Sequence, residues 1–325
     1  MYKLDIKDKR ILYELDINAR QSYSQIAKKV KLSKEVVRYR IENLIKNNVI
    51  FGFLLIADSR KIGLTYNKVF VSLQNVSEKE ENELINYLIK NKKIAAVFKT
   101  DGKYNLFFSI ISKDIEELNE ILSNIENKFG KYFNEIIVNT ILEGHYFCRD
   151  YLINKNTERK AIGFGLKKEE IKLDDIDKKI LILLSYNPRI SLVEMSKKIN
   201  LSSDGINLRI KRLEKNGVIQ NYILILNNNK IGQFHYKILL DLKNLTKQTE
   251  NLFSDFCKNN KNIFYVCKTL TPWKFEIDLE VNNPEQYREI LKEIKNKFGN
   301  IIKDTISLQA FKLYKYNLLP SIDKK

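Results

Sequence analysis

Hydrophobic residues recur three or four positions apart between residues 22 and 47, which is the spacing expected of two short helices. Ser22 and Ser33 stand before the two hydrophobic runs, where a side-chain oxygen can cap a helix N-terminus. Lys31 and Leu32 are left to form the turn. The positions expected to face the core are Ile26, Ala27, Val30, Val37, Ile41 and Leu44. The pattern predicts a helix over 22–30, a tight turn, and a second helix over 33–47.

The second of these helices would expose a basic face. Lys34 and Arg38 fall opposite its hydrophobic positions, together with Glu35, Tyr39 and Glu42. Lys and Arg donors on the first exposed turns of a helix can meet base edges and phosphates in a major groove of DNA. The same pattern also fits two core helices with a solvated charged face, so both interpretations stay open for this pair alone.

The flanking residues extend the pair into a larger unit. A helix is predicted over 4–18, with Asp5 or Asp8 near its start, where the helix dipole favours negative charge. Residues 49–57 are apolar and β-branched, which favours a strand with a kink at Gly52. A hairpin after three helices would be a wing, so we assign residues 1–57 to a winged helix-turn-helix.

Residues 58–153 follow a different pattern. Strands are predicted over 67–75, 94–100, 104–111 and 133–142, and helices over 77–91 and 112–130. Asp101 and Gly102 form a strong two-residue hairpin signal between the second and third strands. The resulting order, β-α-β-β-α-β, is that of a ferredoxin-like unit with helices on one face of one sheet.

The second half of the chain repeats the first. A shift of 169 residues aligns Leu4 with Leu173 and continues without a gap. Matching motifs include Asn18-x-Arg20 with Asn187-x-Arg189, and Lys61-Ile62-Gly63 with Lys230-Ile231-Gly232. This period is too long for a solenoid. We therefore expect a linker over 154–172, a second winged helix-turn-helix over 173–226 and a second ferredoxin-like domain over 227–325.

The charge of the chain favours an anionic partner. The 325 residues carry a formal net charge of +17, which points to nucleic acid more often than to a membrane surface. Residues 1–50 hold 12 Lys/Arg against 6 Asp/Glu, whereas residues 51–154 hold 13 against 14. In the first half the positive charge thus lies on the helical segment. The alternative is a lysine-rich composition without such a partner.

Cysteine and histidine usage argues against a disulfide framework and against a metal site. There are 3 cysteines without a CxxC pair and 2 histidines without a ligand at metal-binding spacing. We expect no metal, no cofactor and no catalytic residue. The opening residues do not read as a signal peptide, and the apolar runs are too short to span a bilayer. These features predict a cytoplasmic protein.

Two segments, LSKEVVRYRIENLIKNNVIFGF and LSSDGINLRIKRLEKNGVIQNY, resemble the Lrp/AsnC family of feast/famine transcription regulators. The preceding LDIKDKRILYELDINARQSYSQIAKKV is similar to that family's opening. The resemblance implies an α+β fold with two copies of a winged helix-turn-helix followed by a βαββαβ ferredoxin-like ligand-sensing domain. It also implies a sequence-specific regulator that binds double-stranded DNA and forms a pseudo-dimer within one chain. Self-association through the sensing domains and a small-molecule effector are implied as well.

The resemblance assigns DNA reading to the helix over 33–47 and to its counterpart. Arg40 would contact phosphate or brace the helices. Lys34 and Arg38 become Ser203 and Asn207 in the second unit, so the first unit is expected to supply most of the affinity. Equal contributions are the alternative, because Asn can read adenine as Arg reads guanine. The expected DNA-binding residues are Ser22, Lys28, Lys29, Ser33, Lys34, Glu35, Arg38, Tyr39, Arg40, Lys197, Lys198, Ser202, Ser203, Asn207, Arg209, Lys211 and Arg212.

Family members bind amino acids near the hairpin between the second and third sensing strands. The residues expected at an effector site are Asp101, Gly102, Tyr104, Asn105 and Trp273. Asn105 and Lys274 stand where amino-acid-binding members commonly carry an acid, which argues against a standard amino-acid effector. Trp273 would be either a stacking wall or a half-buried aromatic residue of the sheet.

Two other functions compete with the regulator. Tetrapyrrole (sirohaem) decarboxylases resemble this family and work as paired units, but they call for His and Arg between the units. Here His145 aligns with Tyr314 and His235 aligns with Tyr66, so neither histidine recurs. A sequence-tolerant, chromatin-like DNA-binding protein is the third interpretation, supported by the excess of 17 Lys/Arg over 11 Asp/Glu in residues 220–325.

Overall fold

The computed structural model describes residues 1–154, 159–165 and 169–322. The chain begins with three helices, which we call the first head. Of the two acids expected near its start, Asp5 is the N-cap of the first helix. The Asp5 carboxylate accepts from the backbone N–H of Asp8, and the Asp8 carboxylate accepts from the backbone N–H of Asp5. Ser22 and Ser33 cap the next two helices, as predicted. The three helices are α1 (Ile6–Ile17), α2 (Tyr23–Val30) and α3 (Lys34–Lys46).

The same arrangement occurs in the second half of the chain, where we call it the second head. Asp174, Ser191 and Ser202 cap its helices through their side-chain oxygens. The helices are α6 (Asp175–Tyr186), α7 (Leu192–Ile199) and α8 (Ser203–Lys215). Each head is therefore built from helices whose ends are satisfied locally, which is why their positions could be predicted from short patterns.

The expected hairpin after each head is replaced by a pairing between the two heads. Strand β1 (Ile50–Ala57) pairs antiparallel with β7 (Ile219–Leu226), with Leu54 opposite Ile223. Both strands are apolar and largely buried, so each finds in the other the partner that a local hairpin would have supplied. The second head thus packs against the first through a two-stranded ribbon.

The predicted β-α-β-β-α-β order is present after each head. In the first half the elements are β2 (Thr65–Leu73), α4 (Glu78–Lys90), β3 (Ile94–Gly102), β4 (Leu106–Ser112), α5 (Ile115–Phe129) and β5 (Phe133–Tyr146). In the second half they are β8 (Phe234–Leu242), α10 (Lys247–Asn259), β9 (Ile263–Thr269), β10 (Phe275–Val281), α11 (Pro284–Phe298) and β11 (Ile302–Tyr316). A short helix, α9 (Asn228–Ile231), precedes β8.

The region predicted as a linker contains secondary structure where it is described. Strand β6 (Ile162–Phe164) pairs with β5, and the Arg159 guanidinium donates to the carbonyl oxygen of Cys148. Residues 155–158 and 166–168 of the predicted linker lie outside the described residues, as do residues 323–325 of the last predicted domain.

The strands of the two halves join into a single closed sheet. Its strands run in the order β2-β4-β3-β11-β8-β10-β9-β5, and β5 pairs in turn with β2 to close the ring, while β6 adds to β5. The junctions between the halves are β3 with β11 and β5 with β9. Closure pairs the strand edges that each half-sheet would otherwise leave open.

Each half-sheet has two different faces. Val69 and Leu106 pack with Leu84 and Ile121 of the helices, which cover one face as predicted. The opposite faces meet each other and bury a mixed cluster from both halves. The residues of this central cluster include Phe70, Phe98, Tyr104, Phe107, Leu239, Trp273 and Leu308.

Charged side chains lie beside this cluster, between the half-sheets. Lys68 of β2 contacts Glu276 of β10 at 2.6 Å, and Lys237 of β8 contacts Asp278 at 2.5 Å. Burial alone would lower the pKa of Lys68, but the neighbouring Cys267 and Glu276 outweigh it and hold that pKa above its usual range. The Lys68–Glu276 pair joins the two halves, whereas Lys237 and Asp278 pair within the second half. Each buried charge has a partner because a lone buried charge would be costly.

A second buried network joins the first head to the sheet. The Arg149 guanidinium contacts Asp16 of α1 at 2.5 Å and Glu280 of β10 at 2.8 Å, and the Tyr151 hydroxyl donates to Glu280. Burial raises the pKa of Asp16 despite the Arg149 charge. Because Glu280 lies in the second half of the chain, this network fixes the first head against the opposite half-sheet.

No helix in the described residues combines the length and the apolarity that a bilayer crossing requires.

Removing the Arg149 side chain should leave two buried carboxylates without their cation. We expect Arg149→Met to lower the free energy of unfolding by about 3–5 kcal/mol, measured by urea denaturation. Arg288 pairs with Glu285 at the surface, so Arg288→Met is the matched control and should leave the unfolding midpoint unchanged. Equal stability of the two variants would contradict a structural role for the Arg149 network.

Acid should weaken the buried pairs that Asp278 forms with Lys237 and His235. Burial tends to raise the pKa of Asp278, but Lys237 and His235 outweigh it and hold that pKa well below its ordinary value of 3.8. A lowered carboxylate pKa stabilises the fold above the unfolded value and loses that contribution as the pH falls. We expect the free energy of unfolding to decrease below about pH 4, with a shallower decrease in Asp278→Asn. Identical pH profiles would contradict this assignment.

Candidate nucleic-acid interface

Helices α2 and α3 of the first head form a helix-turn-helix. Lys31 ends α2 in a left-handed conformation, with φ of 57°, and Ser33 accepts from the backbone N–H of Val36 to start α3. Val37, Ile41 and Leu44 are completely buried against the rest of the head. This packing fixes the rotation of α3 about its axis and therefore decides which side chains point outward.

The outward side of α3 is basic and well exposed. Lys34 and Glu35 on its first turn are exposed, and Tyr39 is 69% exposed. The Arg38 side chain is 64% exposed and contacts Glu42 one turn later at 2.8 Å. Such a surface pair contributes little to stability, so the Arg38 guanidinium is free to exchange Glu42 for an anionic partner.

Arg40 braces the head. Its guanidinium contacts Asp5 and Asp8 of α1, both at 2.7 Å, and its side chain is 28% exposed. Arg209 of the second head contacts Asp174 and Asp177 in the same way. Of the two roles left open by the sequence, the geometry favours bracing for Arg40 and for Arg209.

Several other predicted DNA-binding residues have partners within the protein. The hydroxyl groups of Ser22, Ser33 and Ser202 accept hydrogen bonds as helix caps. Lys29 contacts Glu14 at 2.7 Å, whereas Lys28 is exposed at the end of α2. Of the predicted set in the first head, Lys28 on α2 and Lys34, Glu35, Arg38 and Tyr39 on α3 are exposed.

In the second head, helix α8 is the counterpart of α3 and is less basic than α3 over its first two turns. Ile206, Ile210 and Leu213 of α8 face the core. This packing fixes which side chains of α8 point outward. Leu208 is 67% exposed at the position that matches Tyr39, and Arg212 contacts Asp177. The residues on or beside the outward side of α7 and α8 include Lys197, Lys198, Ser203, Asp204, Asn207, Leu208 and Lys211.

The two heads are locked together by a pair of arginines whose function the sequence did not reveal. Arg20 of the first head donates to the carbonyl oxygens of Pro188 and Ile190, at 2.7 and 3.2 Å. Arg189 donates in return to the carbonyl oxygens of Ala19 and Gln21. Their recurrence at a shift of 169 residues was the available signal. These arginine hydrogen bonds and the β1–β7 ribbon together fix the distance between α3 and α8.

Burial divides the residues predicted for an effector, because Tyr104 and Trp273 are enclosed whereas Asp101 and Asn105 line one cleft of about 500 Å³. Tyr104 is 1% exposed and Trp273 is 3% exposed, and both pack in the central cluster. Of the two roles left open for Trp273, this burial favours an aromatic residue of the sheet. The Asn105 side chain accepts from the backbone N–H of Leu73 at 2.8 Å. Asp101 and Gly102 are exposed on the hairpin. The effector and the self-association implied by the family resemblance stay predictions.

Comparisons with known proteins bear on this surface. Residues 4–45 match the family model of the AsnC-type helix-turn-helix domain, and residues 173–220 match a winged helix-turn-helix DNA-binding model. An uncharacterized HTH-type transcriptional regulator of Pyrococcus furiosus is 30% identical over 145 residues, which are 94% of that protein and 44% of this chain. The chain belongs to the Lrp/AsnC family of transcription regulators.

Other relatives agree with this membership. The HTH-type transcriptional regulator LysM of Sulfurisphaera tokodaii is 31% identical over 134 residues, covering 90% of that protein and 40% of this chain. The regulatory protein AsnC of Haemophilus influenzae is 28% identical over 123 residues, covering 81% of it and 38% of this chain. The predicted Lrp/AsnC resemblance and the α+β fold are therefore confirmed.

A solved structure resembles this Lrp/AsnC chain over nearly its whole length. The siroheme decarboxylase NirDL superposes with a TM-score of 0.61, covering 98% of this chain and 95% of that chain, at 13% sequence identity. At this identity the likeness concerns the fold alone.

The different structural roles of Arg38 and Arg40 can be tested by comparing the melting temperatures of their alanine variants. Arg40→Ala should lower the melting temperature, because Asp5 and Asp8 lose a shared partner at the junction of α1 and α3. Arg38→Ala is the matched control on the same helix and should leave the melting temperature unchanged, because its pair with Glu42 is exposed. Equal shifts in differential scanning calorimetry would refute the bracing role.

Proposed function

We propose that this Lrp/AsnC chain is a sequence-specific DNA-binding regulator in which the first head supplies most of the affinity. The observation that carries the proposal is the outward face of α3, where Lys34, Arg38 and Tyr39 are exposed while the opposite side of the helix is fully buried. A rigidly held helix with exposed donors on its first turns fits a major groove.

The proposed contacts divide into two kinds. Lys28 lies at the C-terminal end of α2 and would meet phosphate, which gives affinity without sequence choice. Arg38 lies one turn into α3 and is placed to read a base, for which a bidentate contact with guanine is the common form. We infer that loss of Lys28 weakens binding uniformly, whereas loss of Arg38 also relaxes sequence preference.

The two heads would act as the two halves of one binding unit, a pseudo-dimer within one chain. Arg20 and Arg189 hold them together, so both reading helices would approach the duplex at a fixed separation. Half-sites on one face of the duplex would then lie about 34–36 Å apart, or a multiple of that distance. The second head would contribute weaker contacts, since Asn207 replaces Arg38 and Ser203 replaces Lys34.

The asymmetry is tested by matched alanine substitutions on a duplex selected from a random pool. Arg38→Ala should weaken binding by about 1–3 kcal/mol, or about 5- to 150-fold, because it removes a base-reading guanidinium. Asn207→Ala at the matching position should have a smaller effect. Fluorescence anisotropy at one fixed salt concentration measures both, since phosphate contacts make the affinity salt-dependent. Equal losses would refute the asymmetry, and unchanged binding in both would refute the proposed reading surface.

The selected duplex also separates a regulator from a sequence-tolerant DNA coat. A regulator should prefer the selected duplex to a scrambled duplex of the same length at each salt concentration. A coat would bind both equally, and both affinities would fall in parallel as salt is raised.

The whole-chain likeness to NirDL makes a decarboxylase the second candidate. A tetrapyrrole substrate would need a large site between the half-sheets, because ligand pockets typically measure about 300–1,000 Å³. The enclosed cavity there measures about 50 Å³, and Lys68, Lys237 and His235 on its wall contact buried carboxylates. The larger cleft beside it, of about 600 Å³, also reaches His235 but opens to the surface and is lined by Asn227, Asn228 and Lys230. This geometry favours the regulator. A tetrapyrrole absorption band in the purified chain would favour the enzyme instead.

A further inference from the structure

The outward side of α8 carries a large apolar side chain that the packing of the second head does not use. Leu208 is 67% exposed, whereas Ile206 and Ile210 on either side of it in the sequence are buried. Because an α-helix has 3.6 residues per turn, a residue midway between these two points directly away from the core that they join. Leu208 is therefore presented to whatever molecule α8 meets.

The second head holds α8 in the same way as the first head holds α3. Arg209 contacts two aspartates at the start of α6, at 2.6 and 2.9 Å, as Arg40 contacts two aspartates at the start of α1. The buried positions of the two helices also match. Leu208 thus occupies the place that Tyr39 occupies on the proposed reading surface of the first head.

The residue beside Leu208 favours the same kind of base pair as an apolar side chain does. Asn207 stands where Arg38 stands, and Asn pairs in bidentate fashion with adenine, whereas Arg pairs with guanine. Thymine, the partner of adenine, presents a 5-methyl group in the major groove, and apolar side chains contact this methyl group. Asn207 and Leu208 therefore both favour A·T pairs, through different atoms of the bases.

The first turn of α8 leaves space next to Leu208. Gly205 lies three residues before Leu208, where α3 has the exposed Val36 before Tyr39. Residues three apart are neighbours on a helix surface, so Leu208 has no side chain beside it at position 205. A Cβ atom there would also stand 3.1 Å from the hydroxyl oxygen of Ser202, which caps α8. A base edge can approach this turn more closely than it can approach the matching turn of α3.

We propose that Leu208 reads the 5-methyl group of a thymine in the half-site of the second head, next to an adenine read by Asn207. This inference rests on the proposed function and names the base that the second head selects. Arg38 reads guanine at the matching position of the first head, so the two half-sites differ in sequence although the two heads are built alike.

The link between the heads gives this difference a consequence for the whole complex. Arg20 and Arg189 hold the heads together, so neither head can choose its half-site independently of the other. With guanine read by one head and thymine by the other, the binding site is not a palindrome. The chain therefore binds it in one orientation along the duplex.

The test uses the full chain and the duplex selected from a random pool, in which each thymine is replaced by deoxyuridine, one at a time. Uracil pairs as thymine does and lacks only the 5-methyl group. At one position the replacement should weaken binding by the parent chain about fourfold, the effect of burying one methyl group. Fluorescence anisotropy at one fixed salt concentration measures the affinities.

Variants of residue 208 assign this sensitivity to the leucine. The affinity of Leu208→Ala should not change when the same thymine becomes uracil, because the contact is already lost. Leu208→Met keeps a large apolar side chain and should retain the sensitivity. Since Leu208 is exposed, Leu208→Ala should melt at the temperature of the parent chain, so that unfolding does not explain its behaviour.

Two further variants are the controls. Leu252→Ala removes the same type of exposed side chain from α10, outside the heads, and should show the sensitivity of the parent chain. Tyr39→Ala removes the counterpart of Leu208 in the first head and should leave the sensitivity at this thymine unchanged. Loss of the sensitivity in either control would overturn the assignment to Leu208.

The outcomes separate this inference from the proposed function. If the parent chain prefers the selected duplex but no thymine is sensitive to loss of its methyl group, only the inference is overturned. The same holds if a sensitive thymine stays equally sensitive in Leu208→Ala. A parent chain that binds selected and scrambled duplexes equally would overturn the proposed function and this inference together.

Discussion

The structure depends on the fact that neither half-sheet can bury its inner face alone. Each presents large apolar side chains, such as Phe70 and Phe107 in one half and Leu239 and Trp273 in the other, on the side not covered by helices. Joining β3 with β11 and β5 with β9 buries these faces against each other and pairs the open edges in the same step. The two halves therefore share one core and have no independent inner surface.

The same constraint places the heads. Strand β1 is apolar and would leave an open edge if its own head were the whole unit, and β7 supplies the missing partner. Arg20 and Arg189 then satisfy carbonyl groups of the opposite head, which adds directional contacts to the apolar ribbon. The orientation of one reading helix relative to the other is consequently a property of the interface between the heads.

Matched positions keep the packing while their chemistry diverges. Lys68 and Lys237 correspond, and so do the bracing residues Arg40 and Arg209, but Arg149 corresponds to Leu318, which is buried among apolar residues. The Arg149 network thus has no charged equivalent at Leu318, and the first head alone has this link to the opposite half-sheet. One backbone arrangement therefore supports two unequal halves.

The sequence by itself determined the local elements. Caps such as Ser22 and Ser33, the stripe of Val37, Ile41 and Leu44, and the order of strands and helices in each half are set by interactions within a few residues, so short patterns predicted them. The basic face of α3 followed from the same helical periodicity. Family resemblance extended these local predictions to the α+β architecture.

Only the tertiary structure decided which elements meet. Strand periodicity specifies that β1 needs a partner but not that the partner is β7, since pairing over this sequence distance leaves no local signal. Likewise, Arg40 and Arg38 are both basic residues on one helix, and their different roles depend on the carboxylates that α1 brings to Arg40. The sequence left two roles open for Trp273, and the contacts with Phe70 and Tyr104 of the other half-sheet are what favour a buried aromatic residue of the sheet. Long-range packing fixes these contacts. Composition and periodicity describe only local preferences and do not encode which distant residues meet.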